Sequence, residues 1–234
     1  MQIGSSHPRI DALDKVTGTA RYCADVDMPG ALHIKLLYAD RTHAEILSID
    51  TNGAEEMDGV VSVLTSKDVP RNEWGIIKQD REVLCSSRVR YIGDRVAMVI
   101  AETPAQASAA VDAIRIEYRD LPVLLEPAEA ASEGAFLIHE DSPGNLGFES
   151  RHEWGDVDAA FQDAAAIVEE TYHTPMQEHA FLEPEAGLAY YDEDGLLTIL
   201  CGGQSVHDDQ HQISHALGLP QEDVRVVYGP IGGA

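Results

Sequence analysis

Positive charge is what this sequence has least of. Lysine and arginine number 16 against 41 aspartates and glutamates, a formal net charge of −25. A field of that sign repels phosphate backbones and anionic lipid surfaces, which argues against nucleic-acid and membrane partners. It is first read as solubility or adaptation to the host; an acidic surface can also dock a basic partner, which charge alone does not show. Cysteine is scarce as well. Cys23, Cys85 and Cys201 stand singly with no CxxC pair. That spacing argues against an iron–sulfur cluster or structural zinc held by this chain, and an odd, sparse count argues against a disulfide framework. Three buried or half-buried thiols are the expectation. Long hydrophobic runs are missing too: the longest strongly apolar stretch, residues 96–101, falls far short of the roughly 20 residues needed to span a bilayer. The opening Met1-Gln2-Ile3-Gly4-Ser5-Ser6-His7-Pro8 lacks the basic-then-apolar order of a signal peptide, so a cytoplasmic location is expected. No P-loop, GxSxG elbow or strand-borne GxGxxG is found, and no internal repeat.

What is present is an ordinary globular composition, 44% hydrophobic over 234 residues, enough for one large or two ordinary domains. Residues 31–40 nearly alternate and predict a strand, as does 59–64, with a helical turn or two at 53–57 between them. A loop-rich stretch follows over 65–90. Residues 95–102 are almost wholly apolar, which predicts a strand central in its sheet. Thr103 as cap and Pro104 at the first position open a helix through Ala113, and 114–118 alternates as a strand should. Strand, helix, strand predicts a crossover unit of mixed α/β type. Residues 1–125 form the expected first domain, 126–149 a linker marked by Pro127, Pro143, Gly144 and Gly147, and 150–234 a second domain. In that second part Asp156 caps a short helix over 157–163, and 167–172 predicts a strand. Asp192-Glu193-Asp194-Gly195 marks a hairpin. A helix opened by a capping-box-like Ser205 and Asp208 and stopped by Gly218 and Pro220 leads to a strand at 224–228. The turn Gly229-Pro230-Ile231-Gly232-Gly233 then suits either a close backbone approach to a ligand or a flexible tail.

Three local patterns invite chemistry. His207, His211 and His215 recur every four residues on one helix face, a spacing that can ligate zinc. They fall opposite Val206, Ile213, Ala216 and Leu217, however, and Asp208 stands where HExxH would place its glutamate, so a solvated polar face competes with a metal site. Glu178, Glu183 and Glu185 beside His179 offer acid/base groups or simply more acidic surface. Gln204, just past an apolar strand, is a neutral amide able to donate to a ligand or to finish a strand.

An ordered set of motifs resembles the molybdopterin-binding large subunit of the xanthine dehydrogenase/aldehyde oxidase family. The set begins with Arg9-x-Asp11, Lys15-Val16-Thr17-Gly18-x-Ala20-x-Tyr22, and Asp25 to Pro29-Gly30. It continues with His43-Ala44-x-Ile46, Val89-Arg90-Tyr91-Ile92-Gly93-Asp94-x-Val96-Ala97 and Glu117-Tyr118-x-x-Leu121-Pro122. Beyond the linker come Glu178-His179-x-x-Leu182-Glu183-Pro184-Glu185, Gln204-Ser205 and Ala216-Leu217-Gly218-Leu219-Pro220.

The resemblance implies a mixed α/β (α+β) fold, a hammerhead domain followed by the first part of a molybdopterin-binding domain. It implies hydroxylation of xanthine-like N-heterocycles or aldehydes with oxygen from water, at a molybdenum held by a pterin dithiolene. It further implies partner subunits carrying iron–sulfur clusters and FAD, and a small-molecule substrate. By resemblance Gln204 donates to the molybdenum oxo group, and Gly232 and Gly233 let the backbone pass the cofactor. The family's turn continues into Phe-Gly-Gly and an acidic residue, and its base glutamate lies farther on. This chain is therefore expected to need the C-terminal remainder of the large subunit and to be inactive alone. Residues 69–75 and 80–85 look more like purine-type than carbon monoxide-type members. A non-catalytic scaffold with this fold, or a zinc protein using the histidine stripe, are the competing readings.

Overall fold

The computed structural model describes residues 3–181 and 183–233; Leu182 of the 178–185 motif, Ala234 and the opening Met1 and Gln2 lie outside the described residues. The described chain forms two compact units. One takes the residues up to Val123 together with those from Phe181 onward, and Leu124–Ala180 makes the other.

The first unit opens with a short helix, α1 (Ala12–Thr17), with Asp11 at the N-cap position and Asp14 in the first turn. Strand β1 (His33–Tyr38) follows, then β2 (Ala44–Asp50), the turn of helix α2 (Asn52–Glu55) and β3 (Val60–Leu64). The loop-rich stretch holds only two-residue strands, β4 (Glu73–Trp74), β5 (Arg81–Glu82) and β6 (Arg88–Val89). Strand β7 (Arg95–Ala101) then lies between β1 and β3, antiparallel to both, with Val99 opposite Lys35 on one side and Val63 on the other. Helix α3 (Pro104–Ala113) starts as expected, with the Thr103 hydroxyl accepting the Gln106 N–H at 3.3 Å.

Both faces of β7 carry fully buried residues. On one, Ala97 and Val99 pack with Ala54 of α2, Ala110 and Val111 of α3, and Ile114. On the other, Val96 packs with Ala39, Ala44, Cys85 and Val89. This double burial is why β7 reads as a continuous apolar run rather than an alternating one. It also overturns the expected parallel crossover. Strand β8 (Arg115–Asp120) cannot join β7, whose two edges are taken, and pairs antiparallel with β2 in a separate sheet of order β6-β2-β8. The two ends of that arrangement meet where His43 Nδ1 lies 2.6 Å from the Pro122 carbonyl and the Leu121 N–H donates to the His43 carbonyl at 2.9 Å.

The Leu124–Ala180 unit contains α4 (Pro127–Ala130) and α5 (Val157–Asp163). Asn145, in the left-handed region at φ 55°, gathers the stretch expected to be a linker. Its amide donates to the Ala130 and Phe136 carbonyls, both at 2.9 Å, and its side-chain oxygen accepts the Ile138 N–H at 2.8 Å. Helix α5 is capped as the sequence indicates, Asp156 accepting the Ala159 N–H at 2.9 Å. The strand expected over 167–172 does not form. Ile167, Val168 and Tyr172 are exposed and pair with no strand among the described residues. Strand propensity reports fit to a pleated, half-buried surface, and no such surface is offered to them here.

Back in the first unit, β9 (Gly187–Tyr191) and β10 (Leu197–Cys201) make the expected hairpin, and helix α6 (Val206–Leu217) carries the chain over to β11 (Val224–Tyr228). Strand β11 pairs parallel with β10, from Leu197 opposite Val224 to Cys201 opposite Tyr228, in a sheet of order β11-β10-β9. Gly218 ends α6 at φ 68°, the left-handed stop its position indicates. The start differs from expectation in detail: the Ser205 hydroxyl donates to the Asp208 carboxylate rather than accepting a backbone N–H.

Asp192 knits this sheet at the hairpin. One carboxylate oxygen accepts the Asp194 and Leu196 N–H groups at 3.0 Å, and the other accepts the Thr198 hydroxyl at 2.7 Å and Arg225 at 2.6 Å. The Thr198 hydrogen bond, with the backbone donors and the Arg225 charge, holds the Asp192 pKa below its ordinary value.

Val99→Ala removes two buried methyl groups from the strand that both layers share and leaves a void, so chemical denaturation should show a loss of about 2 to 3 kcal/mol. Because the Asp192 pKa is depressed on folding, its contribution is present above the unfolded-state value and is lost as pH falls through the folded one. Asp192→Asn should therefore lower the melting temperature at neutral pH, and the gap to the parent should close below about pH 4. A gap that persists unchanged into that range would show that the carboxylate's charge is not what matters.

Candidate functional site

Strands β10 and β11 are the parallel pair among the described residues, and in α/β sheets ligands gather outside the carboxyl ends of such strands. Two glycine-bearing loops leave that end side by side. Residues 202–205 run from β10 into α6, and residues 229–233 follow β11. The Gly229 N–H donates to the Cys201 carbonyl at 3.0 Å, so the loops are joined from their first residue. Glu183 joins them again. Its carboxylate accepts the Gly232 N–H, and one of its oxygens lies 3.1 Å from where a Cβ on Gly202 would stand.

Tyr228, the last residue of β11, reaches across to the other loop. Its hydroxyl accepts the Ser205 N–H at 3.0 Å and donates to the Asp209 carboxylate. Its ring lies beneath Gly203, where any Cβ would come within 2.5 Å of it. Loss of hydration and then the bond to Asp209 push the Tyr228 pKa up to about 12, so the hydroxyl keeps its proton at neutral pH.

The site residues expected from sequence are thus at one end of one sheet. Gln204 is exposed, and its side-chain amide has no hydrogen-bond partner among the described residues. Gly232 and Gly233 are exposed too, but the space their side chains would fill is taken from within. A Cβ on Gly232 would stand 2.7 Å from the Glu183 Cβ, and one on Gly233 3.0 Å from the Phe181 Cβ. Close passage of Phe181 and Glu183 accounts for glycine at both positions.

The other candidates separate. Glu178 and His179 belong to the Leu124–Ala180 unit, whereas Glu183 and Glu185 belong to the first. Glu183 is occupied with Gly232, and Glu185 lines a different, open cleft of about 740 Å³ beside Cys23 and Leu188. On α6, His207 and His211 are exposed while His215 is half-buried, its Nδ1 3.4 Å from Arg71. The rings of His211 and His215 lie 6.5 Å apart. Among the described residues no group of three or more His, Cys, Asp or Glu could hold a metal ion. Cys23 and Cys85 are buried and Cys201 half-buried; burial pushes the Cys85 thiol up to about 12, so it is inert. No helix among the described residues is long and apolar enough to cross a membrane. Sequence reasoning missed Tyr228 and Asp209. The only signal for them was Tyr228 ending a strand directly before the glycine turn.

Comparison with known proteins gives the same arrangement a context. The family described as "Aldehyde oxidase and xanthine dehydrogenase, a/b hammerhead domain" matches residues 17–122, and "Molybdopterin cofactor-binding domain" matches residues 138–234. The chain is 41% identical to a probable xanthine dehydrogenase subunit of Bacillus subtilis, over 98% of this chain and 31% of that protein. It is 38% identical to the nicotinate dehydrogenase large molybdopterin subunit of Eubacterium barkeri, over 99% of this chain and 54% of that one. Among solved structures, aldehyde oxidoreductase from Desulfovibrio gigas superposes with a TM-score of 0.89 at 34% identity, covering 99% of this chain and 27% of its own. The chain therefore spans between about a quarter and a half of the length of these relatives. With a hammerhead domain, a cofactor-binding segment and relatives of this kind across nearly its whole length, the chain belongs to the xanthine dehydrogenase/aldehyde oxidase family of molybdenum hydroxylase subunits.

Proposed function

We propose that this chain supplies one wall of the molybdenum site in a hydroxylase acting on electron-poor N-heterocycles, with aldehydes the second substrate class. The observation that carries the reading is the exposed, unpartnered amide of Gln204 at the carboxyl end of the β10/β11 pair, beside the glycine turn of Gly232 and Gly233. The relatives named for xanthine and nicotinate support the heterocycle preference. When bound, the molybdenum–pterin group supplies hydroxylation at carbon with oxygen drawn from water.

The chain's own share is to bind and orient. The Gln204 amide is a neutral donor, able to hydrogen-bond a cofactor ligand without adding charge to the site. The exposed backbone at Gly232 and Gly233 forms the neighbouring edge, held rigid from behind by Phe181 and Glu183. The carboxylates nearest this edge are already engaged. Glu183 accepts from Gly232, Asp208 from Ser205, and Asp209 from Tyr228. On this reading these carboxylates serve to hold the loops, the general base belongs to another part of the assembly, and the chain alone is inactive. The formal net charge of −25 suits docking on partner subunits of opposite sign, for which iron–sulfur and FAD subunits are the proposed electron route.

Native mass spectrometry with metal analysis, on the chain purified from its own host, tests this directly. The expected result is an assembly containing molybdenum and polypeptide beyond these 234 residues. A lone chain without molybdenum would sink the reading in favour of a scaffold that keeps the fold.

A further inference from the structure

The two loops at the carboxyl end of the sheet are held by different means, and the loop bearing Gln204 is held almost wholly through its neighbours. Gln204 itself contributes nothing to its own placement: it is exposed and its amide has no partner among the described residues. Ser205, next to it, has every polar group committed. Its N–H donates to the Tyr228 hydroxyl at 3.0 Å, its hydroxyl donates to Asp208, and its carbonyl accepts the Asp209 N–H at 3.0 Å. Gly203, on the other side, lies against the Tyr228 ring so closely that no side chain fits between them. Two of these restraints, one on each flank of Gln204, come from the same residue.

Tyr228 is itself fixed. Its backbone is the last rung of the β10/β11 ladder, opposite Cys201, and its hydroxyl proton is directed to the Asp209 carboxylate on the first turn of α6. With the proton given to Asp209, an oxygen lone pair is left facing the Ser205 N–H. Asp209 thereby sets the direction in which Tyr228 accepts. Strand, helix and loop are tied at one phenol.

We infer that Tyr228, oriented by Asp209, is a positioning residue that presents the Gln204 amide to the bound cofactor. The inference rests on the functional reading above. A side-chain amide on an otherwise unrestrained loop would have to be ordered anew each time it donates, whereas a loop pinned on both flanks delivers the donor already placed. Tyr228 touches neither substrate nor cofactor in this role. Its effect should appear in the reacting complex and in the surroundings of the metal, not in how much metal or substrate is bound.

The test has two arms, both built on Tyr228→Phe, which keeps the ring under Gly203 and removes only the hydroxyl. In this chain, amide hydrogen exchange should speed up about tenfold or more at Ser205, with the amides of 210–217 in α6 unchanged. In the molybdenum-loaded assembly from the host, the variant should hold as much molybdenum as the parent. It should show an altered Mo(V) electron paramagnetic resonance signal, and lose roughly tenfold or more in kcat with KM little changed. Asp209→Asn keeps an oxygen to accept from Tyr228 and should retain most of the parent's behaviour, whereas Asp209→Leu should resemble Tyr228→Phe. Unchanged exchange at Ser205 would overturn the claimed hold on the loop. Normal molybdenum content with a parental signal and parental kcat would overturn the positioning role while leaving the functional reading standing. A parent assembly without molybdenum would overturn the functional reading and the catalytic half of this inference together, and the exchange arm would still report whether Tyr228 fixes the loop.

Discussion

Val96, Ala97 and Val99 lose contact with water on opposite faces of one strand, and the first unit is arranged around that fact. A strand with buried residues on both faces must be covered twice. Helix α3, rich in alanine and therefore able to approach closely, covers one side. The sheet built on β2 covers the other through Ala44 and Val89. Because β7 is also paired along both edges, no further strand can be added to it, and the chain leaving α3 is forced to a second sheet. The two-sheet arrangement follows from the pairing of both β7 edges and the burial of Val96, Ala97 and Val99. The exposed ion pairs on this unit, such as Arg41 with Asp120, contribute little by comparison.

Several family motifs become physical statements in this setting. His43-Ala44 and Leu121-Pro122 are far apart in sequence, yet the His43 ring and carbonyl meet the Pro122 carbonyl and the Leu121 N–H. Each motif is half of one closure. In the stretch 89–97, Asp94 is nearly buried and its carboxylate accepts the Arg90 N–H at 2.8 Å, while Gly93 turns at φ 96°. That turn delivers the chain into β7 at the correct register. In these motifs the polar residues and the glycine close turns and strand ends, while Ala44, Val89, Val96 and Ala97 enter the core.

Much of the fold was legible for local reasons. Thr103-Pro104 and Asp156 are start signals whose partners lie within three residues, and Asp192 to Gly195 is a turn that fixes its own hairpin. Gly218 stops α6 because few other residues adopt its backbone angles at low cost. What was illegible depended on distant partners. Strand β2 has Glu45, Ser48 and Asp50 among its seven residues and little apolar pattern, so only its pairing with β8 reveals it. The segment 167–172 erred the other way, with strand-forming residues and no partner. At the site, Gln204 could be singled out as an amide at a strand end, and Gly232 and Gly233 as a turn. That Gly232 and Gly233 are glycine because Phe181 and Glu183 lie against them could not be read, since nothing in the turn points to a segment so far back in the chain.

The division between a placed backbone and a free, exposed side chain bears on what such a site can be. Folding normally pairs the polar groups that lie close to a network, and an amide left without a partner beside Ser205, Asp208, Asp209 and Tyr228 has not been drawn into the network around it. A glutamine selected only to finish β10 would be served as well by a bond to any of those groups. Here the bonds pass it by on both sides and fix its flanks. Being exposed, the amide is hydrated and costs the fold little, and it stays free for a partner that arrives from elsewhere. The acidic groups point the same way. Glu183, Asp208 and Asp209 each accept a hydrogen bond from this chain, whereas the exposed amide of Gln204 is neutral.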